Sequence, residues 1–168
     1  MPTRVVSNVV PFAFPPGSAY LDPGFHDATV ADVESTLVNG FPTSNTRRDI
    51  FERWQQLRAA IAALVTLREQ WLDGSYVTTK VDPGDADIVV HLDGAEVDNL
   101  APVAEFTLQA LVAGKTTQAA WRCDSYPLVE YPQGHPLRAL FEAQRTYWAD
   151  FFGTDRLGAP KGIVRVEP

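Results

Sequence analysis

A small α+β domain, a mixed β-sheet flanked by helices, is the fold that the sequence predicts, on three observations. Stretches with apolar residues at three- and four-residue steps alternate with short β-branched runs, so both helices and strands are present. The strand-like runs are few and short, and turn residues bound each of them. At 168 residues with 45% apolar content, the chain is long enough to bury about 70% of its unfolded surface in a single core. There are no internal repeats and no low-complexity segment.

Each element has its own signal. Residues 1–28 carry Pro2, Pro11, Pro15, Pro16 and Pro23 with Gly17 and Gly24, and read as an irregular N-terminal arm running extended over the surface. Its opening apolar stretch is interrupted by Asn8 and Pro11 and lacks the cleavage site of a signal peptide. Residues 29–168 form the single domain. Thr29 with Asp32 three residues on resembles an N-cap, and Val30, Val33, Leu37 and Val38 continue a short helix until Asn39-Gly40 stops it. Ser44 or Asn45 caps the longest helix, expected over Thr46 to Leu67, where Ile50, Trp54, Leu57, Ile61, Leu64 and Val65 line one face. "EQWLDG" reads as a short strand ending at Gly74, and "DADIVVHL" as its neighbour in the sheet. Helical segments lie on either side of Pro102, which suits a first helical position. "AAWRCDSYPLVEY" predicts a third strand, broken at Pro127. Next comes an amphipathic helix with Leu137, Leu140, Phe141, Tyr147, Trp148 and Phe151 as its apolar face and Gly153 as its stop. A strand from Gly162 to Val166 closes the chain.

Composition narrows the function classes. The net charge of −7 has the wrong sign for a protein whose main task is phosphate neutralisation along nucleic acid. Arg47, Arg48, Arg53, Arg58 and Arg68, with a second group at Arg138, Arg145, Arg156, Lys161 and Arg165, read first as solvated faces pairing with Asp49, Glu52 and Glu142. The single cysteine, Cys123, excludes an intramolecular disulfide and a thiolate zinc site, and fits a cytoplasmic protein. No apolar run approaches the roughly 20 residues of a membrane span. His26, His91 and His135 are too scattered for metal-ligand spacing, and Cys123 and the four tryptophans read as core.

The chemistry concentrates around residues 72–92. Acids are poor strand formers, yet Asp85 and Asp87 stand at the start of an apolar strand, where alternation puts them on one face. Two such carboxylates repel each other unless a proton or a divalent cation intervenes, and oxygen ligands of this kind suit Mg²⁺ or Mn²⁺ with substrate phosphate completing the shell. Gly74 lets backbone approach a phosphate, and Ser75 adds an amide and a hydroxyl. A third acid is expected on an adjacent strand, with Asp124 the leading candidate and Asp93, Asp98 and Glu130 further downstream.

Gly74-Ser75, nine intervening residues and then Asp85-Ala86-Asp87 followed by Ile88 resemble the signature of nucleotidyltransferases of the DNA polymerase β superfamily. The wider "GSYVTTKVDPGDAD", "GHP", "YWADFFGTDR" and "PKGIV" stretches resemble small bacterial proteins placed in that superfamily by the same motif. The superfamily resemblance covers roughly residues 50–130, and the smaller family's covers most of the chain. It implies a nucleotidyltransferase-like fold and transfer of a nucleoside monophosphate from a nucleoside triphosphate to a hydroxyl of RNA, protein or a small molecule. Similar minimal domains serve toxin–antitoxin and phage-defence systems, which implies a protein partner. By that resemblance Gly74 and Ser75 bind the β and γ phosphates, and Asp85, Asp87 and Asp124 hold the metal and carry catalysis. Lys80, in the loop between the two half-motifs, is a candidate phosphate contact that the superfamily motif does not require. The loop from Tyr76 to Gly84 leaves room for only a single helical turn after the Gly-Ser pair, and no base-recognition domain is identifiable. Two readings compete with the enzyme: a non-catalytic nucleotide- or partner-binding module with the same fold, and an interaction protein whose aspartates terminate a "VDPGD" turn.

Overall fold

A computed structural model describes residues 12–168, and the start of the arm, with the leader reading made there, lies outside the described residues. The fold is α+β, as expected. Its elements in chain order are β1 (Gly24–Ala28), α1 (Val30–Val33, continued by a π turn Glu34–Asn39), α2 (Arg47–Ala62), β2 (Leu67–Asp73), a 3₁₀ turn Gly74–Val77, β3 (Ala86–Asp93), α3 (Gly94–Asp98), α4 (Pro102–Leu111), a 3₁₀ turn Lys115–Thr117, α5 (Gln118–Trp121), β4 (Cys123–Glu130), α6 (Arg138–Phe152) and β5 (Gly162–Val166). The five strands make one sheet in the order β1-β5-β2-β3-β4. The outer pairs β1/β5 and β3/β4 are parallel, and β2 runs antiparallel to both of its neighbours.

Strand alternation divides the core between the two sheet faces. Leu72, Ile88, Val90, Leu92, Val164 and Val166 pack with Ile50, Trp54, Leu57 and Ile61 of α2 and with Leu108 and Leu111 of α4. On the opposite face Trp71, Val89, Leu128 and Ile163 lie under Phe141, Trp148 and Phe152 of α6. Among the described residues, no helix is long and apolar enough to cross a membrane.

Local chemistry sets the boundaries. Thr29 and Asp32 close a reciprocal capping box at the start of α1. The Ser44 hydroxyl accepts from the Arg47 amide at 3.2 Å, and the helix begins at that residue. α2 stops at Ala62 and does not reach Leu67. The β-branched Val65 and Thr66 disfavour continuation, and Glu96 captures the amide and the hydroxyl of Thr66.

Four further expectations are corrected. The arm is not irregular throughout: Gly24–Ala28 pairs in parallel with β5, and Phe12 and Leu21 are buried, so the arm adds an edge strand and two core residues. Pro127 does not break the third strand, because β4 is an edge strand and its outward side needs no amide donor. The segment before Cys123 is the short helix α5, which leaves the strand to start at the cysteine. The buried stripe of α6 is Phe141, Trp148 and Phe152, while Leu137, Leu140, Tyr147 and Phe151 remain exposed.

Candidate active site

The end of β2 and the beginnings of β3 and β4 meet at one end of the sheet. Asp73 is the register partner of Asp87, and Asp87 is the register partner of Asp124. Side chains of register partners on neighbouring strands project from the same face, so three aspartates form a row across three strands whose axes lie about 4.8 Å apart. Asp85 stands two residues ahead of Asp87, just before β3 begins, and the Gln118 amide donates to its carboxylate. All three acids expected from the sequence are therefore brought together, and the row has a fourth member.

The backbone around the row is tightly specified. Gly74 has φ +75°, and a Cβ there would collide with the Asp87 carboxylate, so only glycine fits between the end of β2 and that acid. The expected single turn follows as the 3₁₀ segment, with the Ser75 carbonyl accepting from Thr78 Oγ1 at 2.8 Å. The loop beyond it is pinned from behind by Arg47. This fully buried guanidinium donates to the carbonyls of Leu37 (3.0 Å), Tyr76 (2.8 Å), Thr78 (2.6 Å) and Lys80 (2.7 Å), and stacks on the Phe41 ring at 3.7 Å.

On the other side of the row, Arg122 closes α5 in the left-handed region at φ 51°, and its carbonyl accepts from Ala86 N at 3.1 Å, where β3 starts. Its guanidinium donates to the Gly84 carbonyl at 2.9 Å and to Asp49 at 2.9 Å. Thr117 Oγ1 lies 2.6 Å from the Cys123 carbonyl and accepts from Ser125 N at 3.1 Å, which clamps the backbone on both sides of Asp124. A left-handed non-glycine residue beside paired acids is a local cost of the kind that functional sites carry.

Electrostatics follow from crowding. Burial, and then Asp124, Asp73 and Asp85, push the Asp87 carboxyl up to about 6. Burial and then Asp85 raise the Asp124 carboxyl, against the nearby Lys115. Asp73 is raised by burial, although Lys161 at the head of β5 forms an ion pair with it and the Gly74 amide also stabilises its charge. Burial likewise pushes the Cys123 thiol up, which makes it an inert core residue.

A scan of protein families identifies the chain. The model described as "Family of unknown function (DUF6932)" matches residues 13–167. The chain belongs to the DUF6932 family. No curated protein matches it, and no solved structure does.

Because the match spans β1 to β5, the acid row and both clamps around it fall within the DUF6932 region. Its donor set fits a hard divalent cation. The oxygens are carboxylates, Asp124 Oδ1 is buried without a hydrogen-bond partner, and like charge leaves Asp87 short of a counter-ion. Among the described residues, no group of three His, Cys, Asp or Glu side chains is set to hold a metal ion. The acids thus offer a pair, with phosphate and water oxygens left to complete a shell.

The downstream acids sort clearly. Asp93 caps α3 and pairs with Arg68, Asp98 accepts from Tyr131, and Glu130 pairs with Arg68 and Arg138. Only Asp124 stands in register with Asp87. Lys80 is exposed, and its carbonyl is the part that the fold holds. The cations that act on the row are Lys161 and Lys115. Sequence reasoning missed Asp73, Lys115 and Gln118, and placed Lys161 among surface charges. Asp73 was available in principle, since alternation from Trp71 puts it on the face that carries the other acids. Elsewhere, a cavity of about 550 Å³ opens between α6 and the sheet, lined by Glu69, His91, Glu130, Arg138 and Arg145. His91 there sits 3.0 Å from Glu130 and 3.5 Å from Glu69, and stacks on Phe141.

Proposed function

We propose that this DUF6932 chain is a metal-dependent nucleotidyltransferase that moves a nucleoside monophosphate from a nucleoside triphosphate to a hydroxyl group. The observation that carries the reading is the in-register carboxylate row against Gly74, because it joins the two halves of the Gly-Ser and Asp-x-Asp signature at one point. Mg²⁺ or Mn²⁺, held by the in-register pair Asp87 and Asp124, with Asp85 joining once Gln118 releases it, would supply charge neutralisation at the phosphates. Asp124 accepts the proton of the acceptor hydroxyl, a task that suits a carboxyl raised above its ordinary range. The hydroxyl oxygen bonds to the α-phosphorus, the bond to the bridging oxygen breaks, and pyrophosphate leaves. Gly74 and Ser75 receive the phosphate tail, and Tyr126, half-buried beside Asp124 and packed on Trp148, borders the acceptor side. The acceptor is a hydroxyl of RNA, protein or a small molecule, in the setting of a toxin–antitoxin or phage-defence pair.

A second reading, a nucleotide- or partner-binding module without catalysis, is favoured by the hydrogen bond that ties Asp85 to Gln118 and by the lack of a three-ligand group among the described residues. Thermal shift with the four ribonucleoside triphosphates, with and without Mg²⁺, tests the site. Ligand at 100 times its Kd adds about 2.7 kcal/mol, several degrees for this size. A Mg²⁺-dependent shift lost in Asp85→Asn/Asp87→Asn supports the nucleotide site, and pyrophosphate release on adding an acceptor separates enzyme from module. No shift with any nucleotide overturns nucleotide binding by the free chain and leaves the partner-binding module.

A further inference from the structure

The fold places two potential phosphate donors on an anion of its own. Lys161, the residue before β5, and Asp73, the last residue of β2, form an ion pair with side chains only 9% and 8% exposed. The Gly74 amide acts on the same carboxylate. Burying an ammonium and a carboxylate together costs several kcal/mol of hydration, and the pair does not recover that cost by default. No other buried lysine occurs among the described residues, and this one is spent at the end of the sheet where three acids already crowd.

Taken with the reading of Gly74 and Ser75 as the phosphate turn, on which this step rests, we propose that Lys161 and the Gly74 amide form the anion subsite of this protein. Asp73 occupies that subsite in the free state as an internal surrogate for phosphate. A substrate phosphate displaces the Asp73 carboxylate from Lys161, so Asp73 sets the affinity threshold for the triphosphate tail. Geometry supports the exchange. Asp73 pairs with Lys161 from the residue directly before the turn that Gly74 opens, and it faces Asp87, where a released carboxylate lies beside the metal-binding pair. Lys80, by contrast, is exposed and engaged through its carbonyl.

The test is calorimetric titration of inorganic pyrophosphate in chelator, so that no metal contributes, on the full chain and on Asp73→Asn, Lys161→Met and the double variant. The expected result is binding at least tenfold tighter in Asp73→Asn than in the wild type, with the gain abolished when Lys161→Met is added. Equal affinity in Asp73→Asn and wild type, or a gain that survives Lys161→Met, overturns the proposal. Should Asp73→Asn fail to fold, nitrogen-edited NMR of the wild type decides. Pyrophosphate then moves the Gly74 amide resonance and the Lys161 ammonium resonance together, and shifts confined to other lysines overturn the proposal. Because the titration contains no metal or nucleoside, it stands apart from the nucleotide test. Pyrophosphate binding of this pattern without any Mg²⁺-dependent nucleotide shift retains the subsite and removes the transferase.

Discussion

Replacing Asp87 by asparagine should stabilise the protein. In the folded chain the Asp87 carboxyl titrates at about 6 against an ordinary value of 3.8, with burial as the main cause and the neighbouring aspartates as the next. The folded state therefore keeps a proton through a range in which the unfolded chain has lost it, and stability falls as pH rises from about 4 to about 6. Above that window the accumulated penalty, about 2 pH steps at 1.36 kcal/mol each, is about 3 kcal/mol. Asp87→Asn keeps the shape and removes the charge. Urea unfolding in chelator should show the variant more stable by about 3 kcal/mol at pH 7.5, with the gap closing to near zero at pH 4. With Mg²⁺ and nucleotide at about 100 times Kd the gap should nearly close, since only the wild type gains a counter-ion, worth about 2.7 kcal/mol. A gap below about 0.5 kcal/mol at pH 7.5, or an equal gap at both pH values, would refute the crowding argument.

Three further perturbations probe the scaffold. Arg47→Met strands the carbonyls of Leu37, Tyr76, Thr78 and Lys80 and should cost about 3–5 kcal/mol, seen as a fall of roughly 10 °C in a circular dichroism melt. Gly74→Ala meets both a left-handed backbone, worth about 1–2 kcal/mol, and the Asp87 carboxylate. It should lower Tm and abolish the nucleotide-dependent shift even where the variant is still folded. Phe151→Ser removes a side chain that is 59% exposed, so chemical denaturation should place its stability within about 0.5 kcal/mol of wild type.

Pattern and turn chemistry made much of the molecule legible. Thr29 with Asp32, the pause at Asn39-Gly40 and proline at the start of α4 each act within a few residues of themselves, and each produced the element read from it. Asp87 and Asp124 meet because they are register partners on neighbouring strands, and Asp85 stands two residues ahead of Asp87. What stayed hidden depends on distant partners. The end of α2 is decided by Glu96, 30 residues away from Thr66, and the strand character of residues 24–28 exists only through β5. Pro127 misled because edge position is a property of the whole sheet. The α6 stripe misled because Leu140, Tyr147 and Phe151 obey helical spacing as well as the buried residues do. Lys161 looked like surface charge because nothing in its neighbourhood announces Asp73, 88 positions earlier.

The position of β5 carries a consequence for biosynthesis. The last of these five strands to leave the ribosome enters the sheet between β1 and β2, and among the described residues β1 has no other strand to pair with. Until Gly162–Val166 is available, the nascent chain exposes the flank of β2, leaves the first strand unattached and holds Asp73 without its ammonium. Assembly of the sheet and neutralisation of the acid row are thus one late event, so a protein synthesised incompletely has neither the fold nor the charge balance of the site.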